Sequence, residues 1–201
     1  ALIEWFKKTE EFRLLTDLYF SAVYNFGISF LGNLEQPFLL LATAIERYHH
    51  ILSNRGVATS KEENTALKEI NQVLKSCSLS QNARDFWEKN KKELIRKSLM
   101  QQLEDIYSHR QETLNILGFI KDEVSRKKFF RKVRDYRANI AHGRKRPGTE
   151  ELHKTFCYLR LFIELCLLAE LGFTPEECKE IMKQSPYFHN FGIMESKNRT
   201  N

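Results

Sequence analysis

Three side chains in the second half of the chain have types and spacing that suit chemistry on a phosphodiester. In the stretch RDYRANIAHG, Arg137, Asn139 and His142 lie within six residues. A guanidinium neutralises a phosphate, an amide can hold one of its oxygens, and an imidazole can move protons near neutral pH. These three residues are therefore the candidate catalytic group.

The spacing of this group limits how one copy of it can act. Residues five apart on a straight α-helix are separated by about 140° around the axis, so Arg137 and His142 cannot both face one ligand. Either the helix end at Gly143 re-aims His142, or a second copy of the motif lies opposite. Asn139, three residues before His142, shares its face of the helix.

The motif lies in a strongly basic segment. Eleven of the Lys and Arg residues fall between Lys121 and Arg146 against three acidic residues, which gives this segment +8 in a chain of net charge +6. The excess positive charge is local, so we expect it to contact an anionic partner, and charge alone does not choose between a nucleic acid and an anionic membrane surface. If the partner is RNA, the candidate binding residues are Lys127, Lys128, Arg131, Lys132, Arg134, Arg144, Lys145 and Arg146. The alternative is a solvated helix face that binds nothing.

Other polar residues have competing interpretations. Glu46 lies in a mostly apolar helix and is a candidate for supporting Arg137, although it could equally form an ordinary interhelical salt bridge. His142 alone could simply interact with the last carbonyls of its helix. His49 and His50 are adjacent and face different directions, and no other His or Cys stands at ligand spacing, so we predict no metal site.

Helical periodicity runs almost unbroken between the glycine and proline stops. The chain contains only 8 Gly and 4 Pro in 201 residues, and no segment has convincing strand alternation. We predict a single all-α domain over residues 1–201, a compact bundle of six to eight helices. The expected helices cover residues 2–26, 37–56, 59–77, 80–107, 108–120, 122–141, 150–173 and 175–184. Because Ala1 opens directly in helical pattern, we expect the C-terminal portion of a longer protein.

Cysteine usage and hydropathy bear on the compartment. The four cysteines form no C-x-x-C pair, and Cys166 lies in the apolar stretch LCLLAELGF, which suits a buried thiol in a reducing cytosol. No signal segment opens the chain, and its apolar runs are shorter than the roughly 18 residues that span a bilayer. We expect a cytoplasmic protein with no membrane partner.

The motif region resembles a known family. The stretch RDYRANIAHG is similar to the Arg-x(4–6)-His signature of the HEPN superfamily of helical ribonucleases. With the earlier stretch FLLLATAIERYHHIL, the chain looks most like the C-terminal HEPN region of ApeA-type anti-phage abortive-infection proteins. Many members have a polar residue directly after the Arg, where this chain has Ala138. One toxin branch has a tyrosine two residues after the His, where this chain has Arg144.

The resemblance implies an activity. It implies metal-independent RNA cleavage without a cofactor, by a homodimer whose two motifs meet in one cleft, with tRNA a candidate substrate. Arg137 would bind the scissile phosphate, and His142 would assist the 2′-hydroxyl or protonate the leaving oxygen, giving a 2′,3′-cyclic phosphate. The alternative is a non-catalytic dimerisation or RNA-binding module on the same scaffold. A DNA-reading helix is less favoured, because the basic helix carries aromatic residues at core spacing.

Overall fold

Helices are the only regular secondary structure in the described part of the chain. The computed structural model describes the backbone of residues 2–28, 33–56, 61–94, 97–144, 147–185 and 188. These residues contain nine α-helices, one 3₁₀ turn at Gly118–Ile120 and no strand, which confirms the predicted all-α bundle. The helices are α1 (Leu2–Ile28), α2 (Glu35–Asn54), α3 (Lys61–Ser76), α4 (Gln81–Leu94), α5 (Leu99–His109), α6 (Gln111–Leu114), α7 (Glu123–Ala141), α8 (Thr149–Glu170) and α9 (Pro175–Lys183).

Helix α2 lies at the centre of the bundle. It packs against α1, α5, α7 and α8. Its side chains Phe38, Leu41 and Ile45 have no exposed surface. Burial of each such side chain stabilises the fold by roughly 1.5–3 kcal/mol relative to exposure. Helix α2 therefore provides the framework against which the motif helix α7 is placed.

Aromatic side chains anchor α7 to α8. Phe130 and Phe162 are fully buried, and their rings meet edge to face with centroids 5.8 Å apart. Phe129 of α7 lies edge to face with Phe119, whose ring stacks on Tyr158 of α8 at 4.0 Å. Such pairs add roughly 0.5–1.5 kcal/mol each to the gain from burial. The inner face of α7 is therefore packed in the hydrophobic core.

A network of ion pairs ties α1, α2, α8 and the end of α5 together. Glu170, only 5% exposed, accepts a hydrogen bond from the Tyr48 hydroxyl at 3.0 Å. It also pairs with Arg110 and, at 2.9 Å, with Arg55. Arg55 in turn contacts Glu11 of α1 at 2.6 Å. Burial and the neighbouring Glu170 carboxylate raise the pKa of Tyr48 well above its ordinary value, so this hydroxyl stays protonated.

Two expectations about helix boundaries were wrong. The expected helix over residues 80–107 is two helices, because Ser98 begins a new one. The Ser98 hydroxyl accepts a hydrogen bond from the Gln101 N–H at 3.4 Å, and the Gln101 side chain accepts one from the Ser98 N–H at 2.8 Å. The expected helix over 108–120 is the single turn α6 followed by the 3₁₀ turn. The described residues therefore contain nine helices, close to the expected number of about six to eight. The expected start of the third helix at residues 59–60 lies outside the described residues.

Helices α3 and α4 are joined by the short connection of residues 77–80 and are called the α3–α4 hairpin here. The Trp87 indole N–H of α4 donates to the Asn71 side-chain oxygen of α3 at 3.0 Å, which joins the two helices near their connection. Ile70, Val73 and Phe86 of this hairpin are 44%, 59% and 65% exposed. The hairpin thus combines a polar contact between its helices with apolar side chains at its surface.

The cysteines of this chain are unpaired and mostly buried. All four cysteines are free thiols, three of them buried and Cys77 exposed. Burial raises the pKa of the Cys157 thiol to about 12, which keeps it protonated and unreactive. Among the described residues, no helix combines the length and the hydropathy that crossing a bilayer requires.

Candidate nuclease site

The motif helix ends in a defined C-terminal cap. The His142 N–H still donates to the Ala138 carbonyl at 3.1 Å, so the backbone follows the helix up to His142. Gly143 then turns the chain with a φ of +61°, and the Arg144 N–H donates to the Asn139 carbonyl at 2.8 Å. This bond and the left-handed glycine form the Schellman motif. His142 is therefore the C-cap residue that follows the last helical residue, Ala141, and it is exposed to solvent.

Arg137 and His142 lie on different faces of α7. Because α7 remains helical through Ala141, their separation stays close to the 140° of a regular helix. Arg137 follows the face of the buried Val133, four residues earlier, and points toward α2. His142 continues the outward face of the exposed Arg131, eleven residues earlier. The helix end does not remove the separation, so one copy of the motif does not aim both side chains at one point.

Glu46 of α2 contacts Arg137. Its Oε1 lies 3.3 Å from Nη2 of Arg137, and the two side chains are 19% and 37% exposed. On the same two helices, the rings of Phe38 and Tyr136 pack with centroids 6.2 Å apart and add to the contact between α2 and α7. Glu46 therefore fixes one orientation of the guanidinium while leaving part of it open to solvent.

Asn139 is positioned next to His142. It is half-buried and lies about 60° from His142 around the helix. Its backbone carbonyl takes part in the helix cap, whereas its side chain makes no hydrogen bond to any other described residue. The amide is thus available to a ligand that approaches the end of α7.

The basic segment divides into paired and unpaired cations. Several of the predicted RNA-binding residues are already engaged by carboxylates, in contacts one, four or nineteen residues apart. The pairs are Lys127 with Glu123 at 2.5 Å, Lys132 with Glu151 at 2.5 Å, and Arg134 with Asp135 at 2.7 Å. Exposed ion pairs are worth only about 0–1 kcal/mol, so these cations can exchange partners at small cost.

The remaining cations are better placed to attract an anion. Lys128, Arg131 and Arg144 are exposed and form no ion pair with any residue that the structure describes. Lys128 and Arg131 lie on the outward face of α7 that leads to His142, and Arg144 follows the cap. Lys145 and Arg146 fall outside the described residues. The unpaired cations therefore lie on the His142 face of α7 and just after its cap, with the carboxylate of Asp135 between Arg131 and His142 on that face.

Glu151 was not identified from the sequence. It lies in the first turn of α8 and accepts hydrogen bonds from Lys132 and from the Tyr136 hydroxyl, the latter at 2.7 Å. Partial burial and this carboxylate raise the pKa of Tyr136 to about 12. The contact spans fifteen residues and crosses a turn, so no local pattern predicts it. Its place among the acidic residues of the first turn of α8 was the only sequence signal.

The two adjacent histidines of α2 have different partners. His49 is buried and its Nε2 lies 2.8 Å from Oδ2 of Asp105, which also accepts from Lys97 at 2.8 Å. His50 is exposed and contacts the Asn54 side chain at 3.2 Å. In the part of the chain that the structure describes, no cluster of three His, Cys, Asp or Glu side chains is arranged to hold a metal ion.

The family comparison covers the site and its supporting helices. No curated protein and no solved structure matched the chain. A family model described as Apea-like HEPN matches residues 39–177, which is more than two-thirds of the chain. The matched region begins in α2, contains Glu46, Arg137 and His142, and extends into α9. The chain therefore belongs to the Apea-like HEPN family.

Proposed function

We propose that this protein is an endoribonuclease of the HEPN type that cleaves RNA without a metal ion. The observation that carries the proposal is the position of the Arg137-x-x-x-x-His142 motif, at the capped end of α7 in a chain of this family. The unpaired cations Lys128, Arg131 and Arg144 beside the motif support an RNA substrate.

The active site in this proposal is shared between two copies of the chain. Arg137 and His142 diverge by about 140° on one helix, so one copy presents either residue but not both to a single phosphate. Two copies related by a dyad would place Arg137 of one opposite His142 of the other. A homodimer therefore resolves the angular mismatch without distortion of α7.

The proposed reaction is an internal transfer at phosphorus. The 2′-oxygen attacks the adjacent phosphorus while the bond from phosphorus to the 5′-oxygen breaks, giving a 2′,3′-cyclic phosphate and a 5′-hydroxyl. The proton lost by the 2′-hydroxyl and the proton gained by the 5′-oxygen balance. His142 moves one of these protons, and Arg137 stabilises the negative charge that builds on the phosphate oxygens. Asn139 would hold one of those oxygens. It would thus take the role that many family members give to a polar residue directly after the Arg, where this chain has Ala138.

The proposal includes a biological setting, which the family match supports. We place the activity in the cytoplasm as an RNA-cleaving effector of anti-phage defence or a toxin, with tRNA a candidate substrate. Support comes from the Apea-like HEPN match and from four free cysteines, which suit a reducing compartment.

A cleavage assay tests the proposal. Purified protein is incubated with labelled structured RNA in EDTA, and the product ends are identified by mass spectrometry. We expect 2′,3′-cyclic phosphate and 5′-hydroxyl ends, which are absent with the His142→Ala variant prepared in parallel. RNA that remains intact, or cleavage that requires an added divalent ion, would refute the proposal. Light scattering at micromolar protein tests the dimer, and a monomer that cuts RNA would refute the shared site.

One observation favours the alternative of a non-catalytic RNA-binding module. Arg137 is already engaged by Glu46 and faces away from His142. In that case the protein would shift RNA on a gel without cutting it, and substitution of His142 would leave the shift unchanged. The same assay therefore separates the two functions.

A further inference from the structure

A pocket lies in the α3–α4 hairpin, on helices that carry none of the motif residues. It measures about 150 Å³ and opens to solvent. A cavity of about this volume accommodates one six-membered aromatic ring. The lining residues are Asn71, Leu74, Lys75, Leu79, Arg84 and Trp87.

The lining combines an aromatic surface with positive charge. The indole N–H of Trp87 is bound to Asn71, which fixes the ring at the pocket wall beside the half-buried Leu74 and Leu79. Lys75 and Arg84 are exposed and form no ion pair with any described residue. The Arg84 guanidinium reaches only the Cys77 carbonyl, at 3.5 Å. None of the described residues that line the pocket carries a carboxylate. The site is thus complementary to a flat, apolar ring that carries negative charge.

We infer that this pocket binds one unpaired nucleotide of an RNA strand, with its base against Trp87 and its phosphate between Lys75 and Arg84. Stacking on an aromatic side chain combined with cations along the backbone is the usual chemistry of single-strand recognition. A single nucleotide carries both a flat ring that can stack on Trp87 and a phosphate that can bind the two cations. The inference rests on the proposed function in its choice of RNA, and it adds a substrate-binding site outside the Arg-x-x-x-x-His group.

Tryptophan fluorescence measures this binding directly. The chain contains two tryptophans, Trp5 and Trp87, so Trp5→Phe leaves Trp87 as the only reporter. His142→Ala in the same protein prevents cleavage during the titration. The probes are a single-stranded hexanucleotide RNA, a free nucleoside monophosphate, and a short acidic peptide that contains phenylalanine but no tryptophan. We expect the hexanucleotide to quench Trp87 fluorescence at lower concentration than the monophosphate.

Charge reversal tests the role of the two cations. Lys75→Glu with Arg84→Glu should weaken hexanucleotide binding by at least tenfold. It should also flatten the log–log dependence of affinity on salt by about 0.7 for each phosphate that the protein no longer neutralises. The matched control is Lys68→Glu with Lys89→Glu, which makes the same charge change at exposed positions of the same two helices that do not line the pocket. This control should weaken binding by less than about threefold. Trp87→Ala, followed by a gel shift, should weaken binding by roughly 5- to 100-fold.

The results distinguish an RNA-binding pocket from the alternatives. Equal weakening by the two charge-reversed pairs, or no quenching by any probe, overturns the site. Quenching by the peptide but not by the RNA assigns the pocket to an acidic protein segment instead. A monophosphate that binds as tightly as the hexanucleotide assigns it to a free nucleotide rather than to an RNA strand. Cleavage by the unmodified protein is assayed separately. Quenching without cleavage would refute the nuclease and leave the pocket, and cleavage without quenching would refute the pocket alone.

Discussion

Glu46 on α2 and Arg137 on α7 form an ion pair of 3.3 Å that links the central helix of the bundle to the residue proposed to bind phosphate. Arg137 is the more exposed partner, at 37% against 19%. A phosphate can therefore reach the guanidinium from the solvent side while the carboxylate holds it from the protein side. The carboxylate also repels the phosphate, so Glu46 both orients Arg137 and opposes RNA binding.

Glu46→Gln should separate these two effects. Removal of the negative charge should tighten RNA binding by up to about fivefold, because a partly exposed ion pair is worth roughly 0.2–1 kcal/mol. The cleavage rate at saturating RNA should fall by roughly ten- to a hundredfold, since small misplacements of a catalytic group have effects of this size. Gel shifts and single-turnover cleavage measure the two. Glu112→Gln, at an exposed position of α6, is the matched control and should change neither quantity. If Glu46→Gln also leaves the cleavage rate and the RNA affinity unchanged, the ion pair with Arg137 has only a structural role.

His142→Ala should remove most of the cleavage activity with little change in stability. General acid–base groups contribute on the order of 10²- to 10⁴-fold in rate, so cleavage should fall by at least a hundredfold. An exposed residue at a helix end contributes a capping or dipole interaction of roughly 0.3–1 kcal/mol, so the melting temperature should move little. Cleavage kinetics and a thermal melt on the same preparation check both. Cleavage at the wild-type rate with an intact melt would reject the proposed role of His142.

The unpaired cations should contribute more to RNA binding than the paired ones. Neutralisation of Lys128, Arg131 and Arg144 to Gln should flatten the log–log salt slope by about 0.7 for each phosphate left without its cation, or about 2 in total. The same change at Lys127, Lys132 and Arg134 should have a smaller effect, since these residues already have carboxylate partners. Affinities measured at a series of salt concentrations distinguish the two triple variants. Equal slopes would mean that the ion pairs open when RNA binds.

Glu170→Gln should destabilise the whole bundle. The substitution leaves Arg110 and Arg55 without their shared, buried carboxylate. Loss of one partner of a buried ion pair costs about 3–5 kcal/mol, and we expect about 3 kcal/mol because the two guanidinium side chains are 22% and 29% exposed. Denaturant unfolding gives this difference. Glu11→Gln, at the exposed end of the same network, should cost less than about 1 kcal/mol, and a similar loss from both variants would contradict the central role of Glu170.

Local sequence signals predicted the motif helix well. Asp122 at its start accepts the Ser125 N–H at 2.8 Å, and Gly143 supplies the positive φ at its end, so both boundaries follow from residues next to them. The break at Ser98 had an equally local cause. The sequence contains the Ser-x-x-Gln capping pattern at Ser98. The helical periodicity of apolar and charged residues continues across this point, so the sequence predicted one uninterrupted helix.

Contacts between distant segments were harder to predict. Glu170 follows an apolar run in α8, and only the packed bundle brings it to Tyr48, 122 residues away. The pairing of Lys127 with Glu123 follows the i,i+4 rule and could be predicted, whereas the contact of Lys132 with Glu151 depends on the turn between α7 and α8. The angular separation of Arg137 and His142 follows from helix geometry alone, so this feature of the site was available from the sequence.

Helix α2 holds three polar contacts within four residues. Glu46 binds Arg137 of α7, Tyr48 binds Glu170 of α8, and His49 binds Asp105 of α5. Any sliding or fraying of α2 in this region breaks all three contacts together. We therefore expect the backbone amides of this turn to exchange their hydrogens with solvent only in molecules whose bundle has opened completely. Their exchange rates report the free energy of global unfolding rather than that of a local fluctuation.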